Sequence, residues 1–375
     1  MNRARQIPAL DGLRGIAVLL VILHNTNVFP DHPGWAWPLA ALATAGWIGV
    51  QLFFVLSGYL ITNNLLASRG ADNYYRAFFG RRVLRIFPLY FLALVLFLLV
   101  LPQLLSLSPE ISASYAHQRW YWLFLNNWTQ PSGQAVYWFP HFWSLAIEEQ
   151  FYLVWPFLIA LLPERRVALA SLIVLLAACL LRVVLYRAGC NTDMIYMYTI
   201  TRMDALAAGA LLAALADHTA TQAMLARRAV TLLTLAAVIL LGGALAGGLY
   251  NMHKPGTIYV GYAALTVAFA ILVGVCASET RQSSRPAALQ WLLEPNWLRA
   301  MGKYSYAIYI IHLPLSLLWP YRLPVMATRH EAAWALLYSV SIGAVSFALG
   351  ALSYQVIERH FLRLKRWLVP RFTAA

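Results

Sequence analysis

Residues 11–27, DGLRGIAVLLVILHNTN, read as an apolar helix with two ionisable side chains set into it. Arg14 stands near its start and His24 ten residues further on, with apolar residues and one glycine between them. At about 1.5 Å rise per residue the two are about 15 Å apart, half of a hydrocarbon core about 30 Å thick. An imidazole at that depth is costly in lipid, so the helix must turn it toward other helices or a wet interior.

The composition extends this reading to the whole chain. Of 375 residues 61% are hydrophobic and 11% charged, and the mean hydropathy is +0.64, which excludes an ordinary soluble domain. Ten apolar segments, roughly 13–29, 47–67, 86–105, 141–162, 167–187, 199–216, 229–250, 258–277, 302–320 and 332–357, each approach the length a helix needs to cross a bilayer. The expected fold is all-α, a polytopic membrane bundle of about ten transmembrane helices. With no repeat of 20–50 residues and no Gly/Ser linker, residues 1–375 read as a single domain.

The net charge of +14 invites a nucleic-acid partner, but the cations cluster between apolar segments instead of forming a polar face. Topology explains them better. With a cytoplasmic N-terminus, 21 of the 28 Lys and Arg fall inside, within 3–14, 69–85, 165–166, 227–228, 281–303 and 359–371. The remainder, Arg119, Arg182, Arg187, Arg202, Lys254, Arg322 and Arg329, lie outside or in helices. The positive-inside rule then puts both termini in the cytoplasm of a multi-pass inner (plasma) membrane protein. Arg3 and Arg5 before an apolar run mimic a signal peptide, yet no small-residue cleavage site follows, so the segment reads as a retained first helix. Cys179, Cys190 and Cys276 form neither a disulfide framework nor a metal set, and no metal is expected.

Ionisable residues inside the segments are few. They include His24, Glu148 and Glu149 in WSLAIEEQFY (143–152), Arg202 and Asp204 in TRMDAL, and His312 in YSYAIYIIHLPL. Counting from helix ends puts His24, Glu148 and His312 at a similar level, slightly outward of the midplane. Glu148 shares its helical face with Ser144, Tyr152 and Trp155, whereas Glu149 is flanked by Leu145, Leu153 and Pro156. The first face suits a cavity, which favours Glu148 as the partner of a histidine and Glu149 as the partner of an internal Arg; the reverse assignment stays open. A histidine and a carboxylate at one depth suit general-base catalysis on an alcohol. His312 has a competing structural role, because Pro314 removes the donor for the Ile310 carbonyl.

RAFFGRRVLRIFPLY places Arg81, Arg82 and Arg85 at helical spacing, so 81 or 82 can share a face with 85. Arginine forks match phosphate oxygens, and a cluster beside Arg14 and Asp11 suits a phosphorylated cytoplasmic ligand. On the other side, 106–140 is rich in aromatics, RWYWLFLNNW and VYWFPHFW. These suit either an interfacial belt or a platform for sugar rings.

IPALDGLRGIAVLLVILH, GWIGVQLFFVLSGYLI, RRVLRIFPLY, FWSLAIEEQFYLVWPFLI, TRMDALAAGALLA and YSYAIYIIHLPL, in that order, resemble the signature segments of the acyltransferase-3 family of integral membrane O-acyltransferases, and SYQVIERHF (353–361) resembles its last-helix ending. The resemblance implies transfer of an acyl group, most often acetyl from cytoplasmic acetyl-CoA or another acyl-CoA as co-substrate, to a hydroxyl of an extracytoplasmic carbohydrate. By motif, Arg14 and His24 match the family's first-helix pair, Arg82 and Arg85 its basic motif, and Glu148 and Glu149 its paired acids. His24 would be the base, the arginines would meet CoA phosphates or the acyl carbonyl, and an acid would orient His24. Many members append an extracytoplasmic esterase-like domain. The sequence given stops at Ala375, so such a partner would be a separate periplasmic acyltransferase or esterase-like protein, and direct delivery is the simpler expectation.

Direct transfer competes with an acyl-enzyme. A pantetheine arm would thread past Gly46, Gly49, Ser57 and Gly58, small residues that equally suit close helix packing. No nucleophile-elbow pattern surrounds Ser57. A secondary transporter or lipid-linked sugar flippase would use the same charges, His24, Glu148, Arg202 and Asp204, as a relay or substrate site, though no paired broken helices mark two matching halves.

Overall fold

Every backbone N–H and C=O in a hydrocarbon core needs a partner within the chain, which makes apolar segments helical. A computed structural model describes residues 7–30, 34–216, 219–278, 286–319 and 331–371. Proline in the first turn opens α1, Pro8–Asn25, after an extended Ile7. There follow α2 (Ile48–Ala67), α3 (Tyr74–Leu104), α4 (Pro140–Leu161), α5 (Glu164–Arg187), α6 (Thr192–Ala216), α7 (Ala229–Ala246) and α8 (Thr257–Ala277). The last two are α9 (Asn296–Leu318) and α10 (Glu331–Leu368). Among the described residues nine of these are long and apolar enough to cross a membrane; α9, at 23 residues, is long enough but more polar. All ten expected segments therefore coincide with a helix. Arg3, Arg5, Arg281, Arg285, Arg322 and Arg329, used above to orient the chain, lie outside the described residues.

The helices divide by what they bury. Exposed Leu169, Ile173, Leu176 and Leu180 run along α5, and Val230, Val238, Leu241 and Leu245 along α7, apolar surface of the kind lipid covers. In contrast α1, α2, α6, α8 and α9 pack against one another. Their glycines allow this: Gly49 of α2 lies on the Ala17 carbonyl of α1, Gly46 on that of Leu20, and Gly58 on that of Leu206 in α6. A Cβ at any of them would run into backbone. These glycines serve close packing, and none of them borders the cavity described below.

Two boundaries differ from the sequence expectation in ways that matter. The polar run after His24 ends α1 early: Thr26 turns its hydroxyl back to the Ile22 carbonyl at 2.7 Å and on to Ser339 of α10 at 2.9 Å. At the other end α10 continues beyond 357 through a π-turn at Tyr354–Glu358 and a final 3-10 turn, Leu364–Leu368.

The aromatic segment 106–140 is neither a belt nor an open platform for most of its length. Tyr121, Phe139 and Trp138 are buried. Tyr90 of α3 donates to the Tyr121 carbonyl at 2.8 Å and stacks on Phe124 at 4.3 Å between centroids. Tyr115 donates to Phe97 O at 2.8 Å, and Trp138 to the Tyr115 hydroxyl at 3.0 Å. The segment caps one end of the bundle as core, because aromatic faces bury large areas once their polar atoms find partners. That end is called the loop end below, and the opposite one, with Arg14 and Arg85, the basic end.

Candidate active site

Helices α1, α2, α3, α4 and α9 enclose a cavity of about 280 Å³. From α4, Ser144, Glu148 and Tyr152 line it at i, i+4 and i+8, with Leu145 and Glu149 beside them. Arg14 comes from α1, Arg82 and Arg85 from α3, Ser57 and Asn64 from α2, and Ser305, Tyr306 and Tyr309 from α9. Tyr306 ties α9 to α3 by donating to the Ile86 carbonyl at 2.7 Å.

A hydroxyl chain crosses the cavity. Tyr152 donates to Glu148 Oε2 at 3.1 Å, and its oxygen lies 2.5 Å from Ser57 Oγ. Since a carboxylate can only accept, the single phenolic proton goes to Glu148 and Ser57 donates to Tyr152. Arg82 lies with its guanidinium 5.6 Å from the Tyr152 ring centroid, and its Nε is buried with no partner among the described residues. Arg82 acts electrostatically on both Glu148 and Glu149. Arg14 reaches Asp11 at 3.7 Å and shares its field with Arg82 and Arg85. Arg81 turns away, donating Nε to its own helix at Ala77 O, 2.8 Å. Three arginines converging on one cavity, one with an orphaned donor, make a site that an anion stabilises.

The histidines form a separate layer toward the loop end. His24 Nδ1 donates to the Ala43 carbonyl at 3.0 Å. Its neighbour Asn25 donates to His312 Nε2 at 2.8 Å, while His312 Nδ1 donates to Tyr309 O at 2.7 Å and Ile308 O at 3.2 Å. His141 lies 5.0 Å from His312 between ring centroids and donates Nε2 to the same Tyr309 carbonyl at 2.9 Å. Tyr309 and Ser144, which reach the cavity, hydrogen-bond each other at 2.5 Å, and Tyr309 donates to His141 O at 2.9 Å. His141 and His312 thus meet the cavity's loop end through Ser144 and Tyr309, whereas His24 is not among the residues that line the cavity.

Three expectations change accordingly. Glu148 and His24 do not share a level: His141 is at the level of His312, and Glu148 is seven residues, about 10 Å, further inward. Depth counting misplaced it because α4 begins beneath the aromatic segment, with His141 and Phe142 buried. Glu148 is bonded to Tyr152 and not to a histidine. His312 serves the Ile308 and Tyr309 carbonyls rather than that of Ile310. His141 was missed, although it lies on the Glu148 face three residues before Ser144, and that periodicity was the available signal.

Arg202 and Asp204 stand apart from the cavity. Asp204 Oδ2 pairs with Arg182 at 2.8 Å and accepts from Thr266 at 3.1 Å. Fully buried Arg202 is boxed by the rings of Trp47, Phe54, Trp143, Tyr196 and Tyr262, with centroids 4.8–5.7 Å away. Cation–π contact of this kind offsets desolvation without an anion. Among the described residues no group of three His, Cys, Asp or Glu is arranged to hold a metal ion.

A family model described as an acyltransferase domain, of the acyltransferase-3 type, matches residues 7–372. The chain belongs to the acyltransferase-3 family. Similar proteins include the peptidoglycan O-acetyltransferase OatA of Listeria monocytogenes, 30% identical over 370 residues that cover 94% of this chain and 55% of the relative. The O-acetyltransferase OatA of Staphylococcus aureus is 29% identical over 341 residues, 84% of this chain and 51% of the relative. The chain thus spans about half the length of these relatives. No solved structure matches it.

Proposed function

We propose that this acyltransferase-3 chain is a membrane O-acetyltransferase that moves an acetyl group from cytoplasmic acetyl-CoA to a hydroxyl of a cell-wall carbohydrate on the far side of the inner membrane. The observation that carries the reading is the cavity, which gathers Arg14, Arg82 and Arg85 with Glu148, Glu149 and Tyr152 in the interior of a helix bundle and reaches Ser144 and Tyr309, the residues bonded to His141, at its other end. Arg14, Arg82 and Arg85 bind the phosphates of the donor at the basic end. The thioester arm runs along the cavity past Ser57, Tyr152 and Glu148.

His24 is the base. Donation from Nδ1 to Ala43 leaves Nε2 with its lone pair, the tautomer needed to accept a proton. The acceptor oxygen gives its proton to His24 and attacks the thioester carbonyl carbon; the C–S bond breaks and CoA leaves as its thiolate. Arg14 lies about 15 Å from His24 along α1, so the acyl end must extend past the loop end of the cavity to meet His24, which lies beyond the lining. Glu148 and Glu149 keep the interior charge near balance against the arginines. The names of the relatives support acetyl as the group and peptidoglycan as the acceptor class.

The test uses inverted membrane vesicles carrying wild type or His24→Ala at matched expression, supplied with acetyl-labelled acetyl-CoA. Label is expected in alkali-labile ester on glycan with wild type and not with the variant. Equal label in both removes His24 from the chemistry. No label above empty vesicles with any acyl-CoA and acceptor favours the transporter reading.

A further inference from the structure

The end of α10 reaches back across the bundle to the start of α3. Asp72 N–H donates to Arg371 O at 2.8 Å, Arg371 N–H to Asn73 Oδ1 at 2.8 Å, and Asn73 Nδ2 to Val369 O at 2.9 Å. Leu368 rests on the bare Cα of Gly80, the residue immediately before Arg81 and Arg82. In the 3-10 turn Leu364–Leu368, residues three apart eclipse each other, so Lys365 shares the face of Leu368 that meets α3.

Lys365 accordingly acts electrostatically on Arg85, Arg82 and Arg81. The acid facing this group is Glu358, one turn back from Arg363 on the same tail; it acts on both Arg85 and Lys365, and its Oε1 is buried with no partner among the described residues. The backbone hydrogen bonds of the tail hold Lys365 beside Arg81, Arg82 and Arg85, and with Glu358 beside them and Glu148 and Glu149 deeper in the cavity the group keeps a positive excess that is unfavourable when empty. A polyanion relieves it.

We propose that Lys365 is a further phosphate ligand of the acyl-CoA site: with Arg85 it binds the nucleotide end of the donor at the mouth of the cavity, and Glu358 is the internal counter-charge that the phosphate displaces. The inference rests on the acyl-transfer reading. It adds a ligand from the far end of the chain to a cluster that α1 and α3 otherwise supply. An anionic lipid headgroup offers the same chemistry as a nucleotide phosphate, so the experiment must tell them apart.

The full chain in nanodiscs of neutral phosphatidylcholine is assayed with acetyl-CoA and with acetyl-pantetheine, which carries no phosphate. Lys365→Gln is expected to raise KM for acetyl-CoA about tenfold, the size of one charge-assisted hydrogen bond, and to leave kcat and KM for acetyl-pantetheine unchanged. Inhibition by adenosine bisphosphate, the nucleotide end alone, weakens by the same factor. Lys365→Arg restores most of the loss, and Glu358→Gln lowers KM for acetyl-CoA. Unchanged KM, or equal changes for both donors, overturns the proposal. A Lys365→Gln defect confined to discs containing phosphatidylglycerol and equal for both donors assigns the site to lipid and also overturns it. Absence of turnover by wild type from every thioester instead defeats the acyl-transfer reading.

Discussion

Arg182 and Asp204 meet at 2.8 Å inside the α5–α6 contact, and Thr266 donates to the same oxygen, Oδ2, while Oδ1 is buried with no hydrogen-bond partner among the described residues. Arg82 and Glu148 line one cavity and form no ion pair with each other. Both pairs lie inside a helix bundle, Arg182 and Asp204 fully buried and Arg82 and Glu148 half-buried beside the cavity. One pair neutralises itself, and its loss leaves an uncompensated charge in a packed interior. The other faces space, with an orphaned Arg82 donor and a carboxylate poised on Tyr152. An intramembrane charge becomes a candidate for chemistry when packing leaves it something to bind.

The contrast can be broken by exchanging the effects. Glu148→Gln is expected to lower acyl transfer by about 10²–10³-fold, as loss of one preorganised electrostatic contact does, while the melting temperature of the purified protein stays within a few degrees. Asp204→Ala is expected to do the reverse in kind. It strands Arg182 and costs about 3–5 kcal/mol of stability, read as early thermal unfolding, and Arg182→Met with Asp204→Leu recovers most of it. Arg85→Ala removes a charge-assisted contact of about 1.5–3 kcal/mol, so KM for acetyl-CoA rises by one to two orders of magnitude with stability intact. The smallest effect is expected of Tyr152→Phe, about tenfold in rate, because one charge-assisted hydrogen bond of about 1.5 kcal/mol to the Glu148 carboxylate is lost while the ring under Arg82 remains. If Glu148→Gln unfolds the protein, or Asp204→Ala is stable and inactive, the division between the two regions fails.

The helices were legible because length and hydropathy alone require them: the segments at 13–29, 47–67 and 229–250 each coincide with a helix whose ends shift by a few residues. Which charges meet was not legible. Asn25 finds His312 and Thr26 finds Ser339 across 287 and 313 residues, contacts that depend on how α1, α9 and α10 pack. Depth counting assumed that each helix starts at the membrane surface, and α4 does not, since Trp138, Phe139 and Phe142 cover its first turn. Arg202 and Asp204 stand two residues apart, yet helical positions i and i+2 face apart, so Asp204 meets Arg182 and Arg202 meets aromatic rings. Lys365 looked like one of many topological cations until the tail's return to Gly80 placed it against α3.

The account turns on whether the acyl donor occupies the cavity. Equilibrium binding of a non-reactive thioether analogue of acetyl-CoA to the purified protein in nanodiscs tests this without requiring the acceptor. Wild type and Asp204→Asn are expected to bind equally and Arg82→Ala at least tenfold more weakly, the loss of one charge-assisted contact. Arg82→Ala binding as tightly as wild type would place the donor elsewhere and contradict the account.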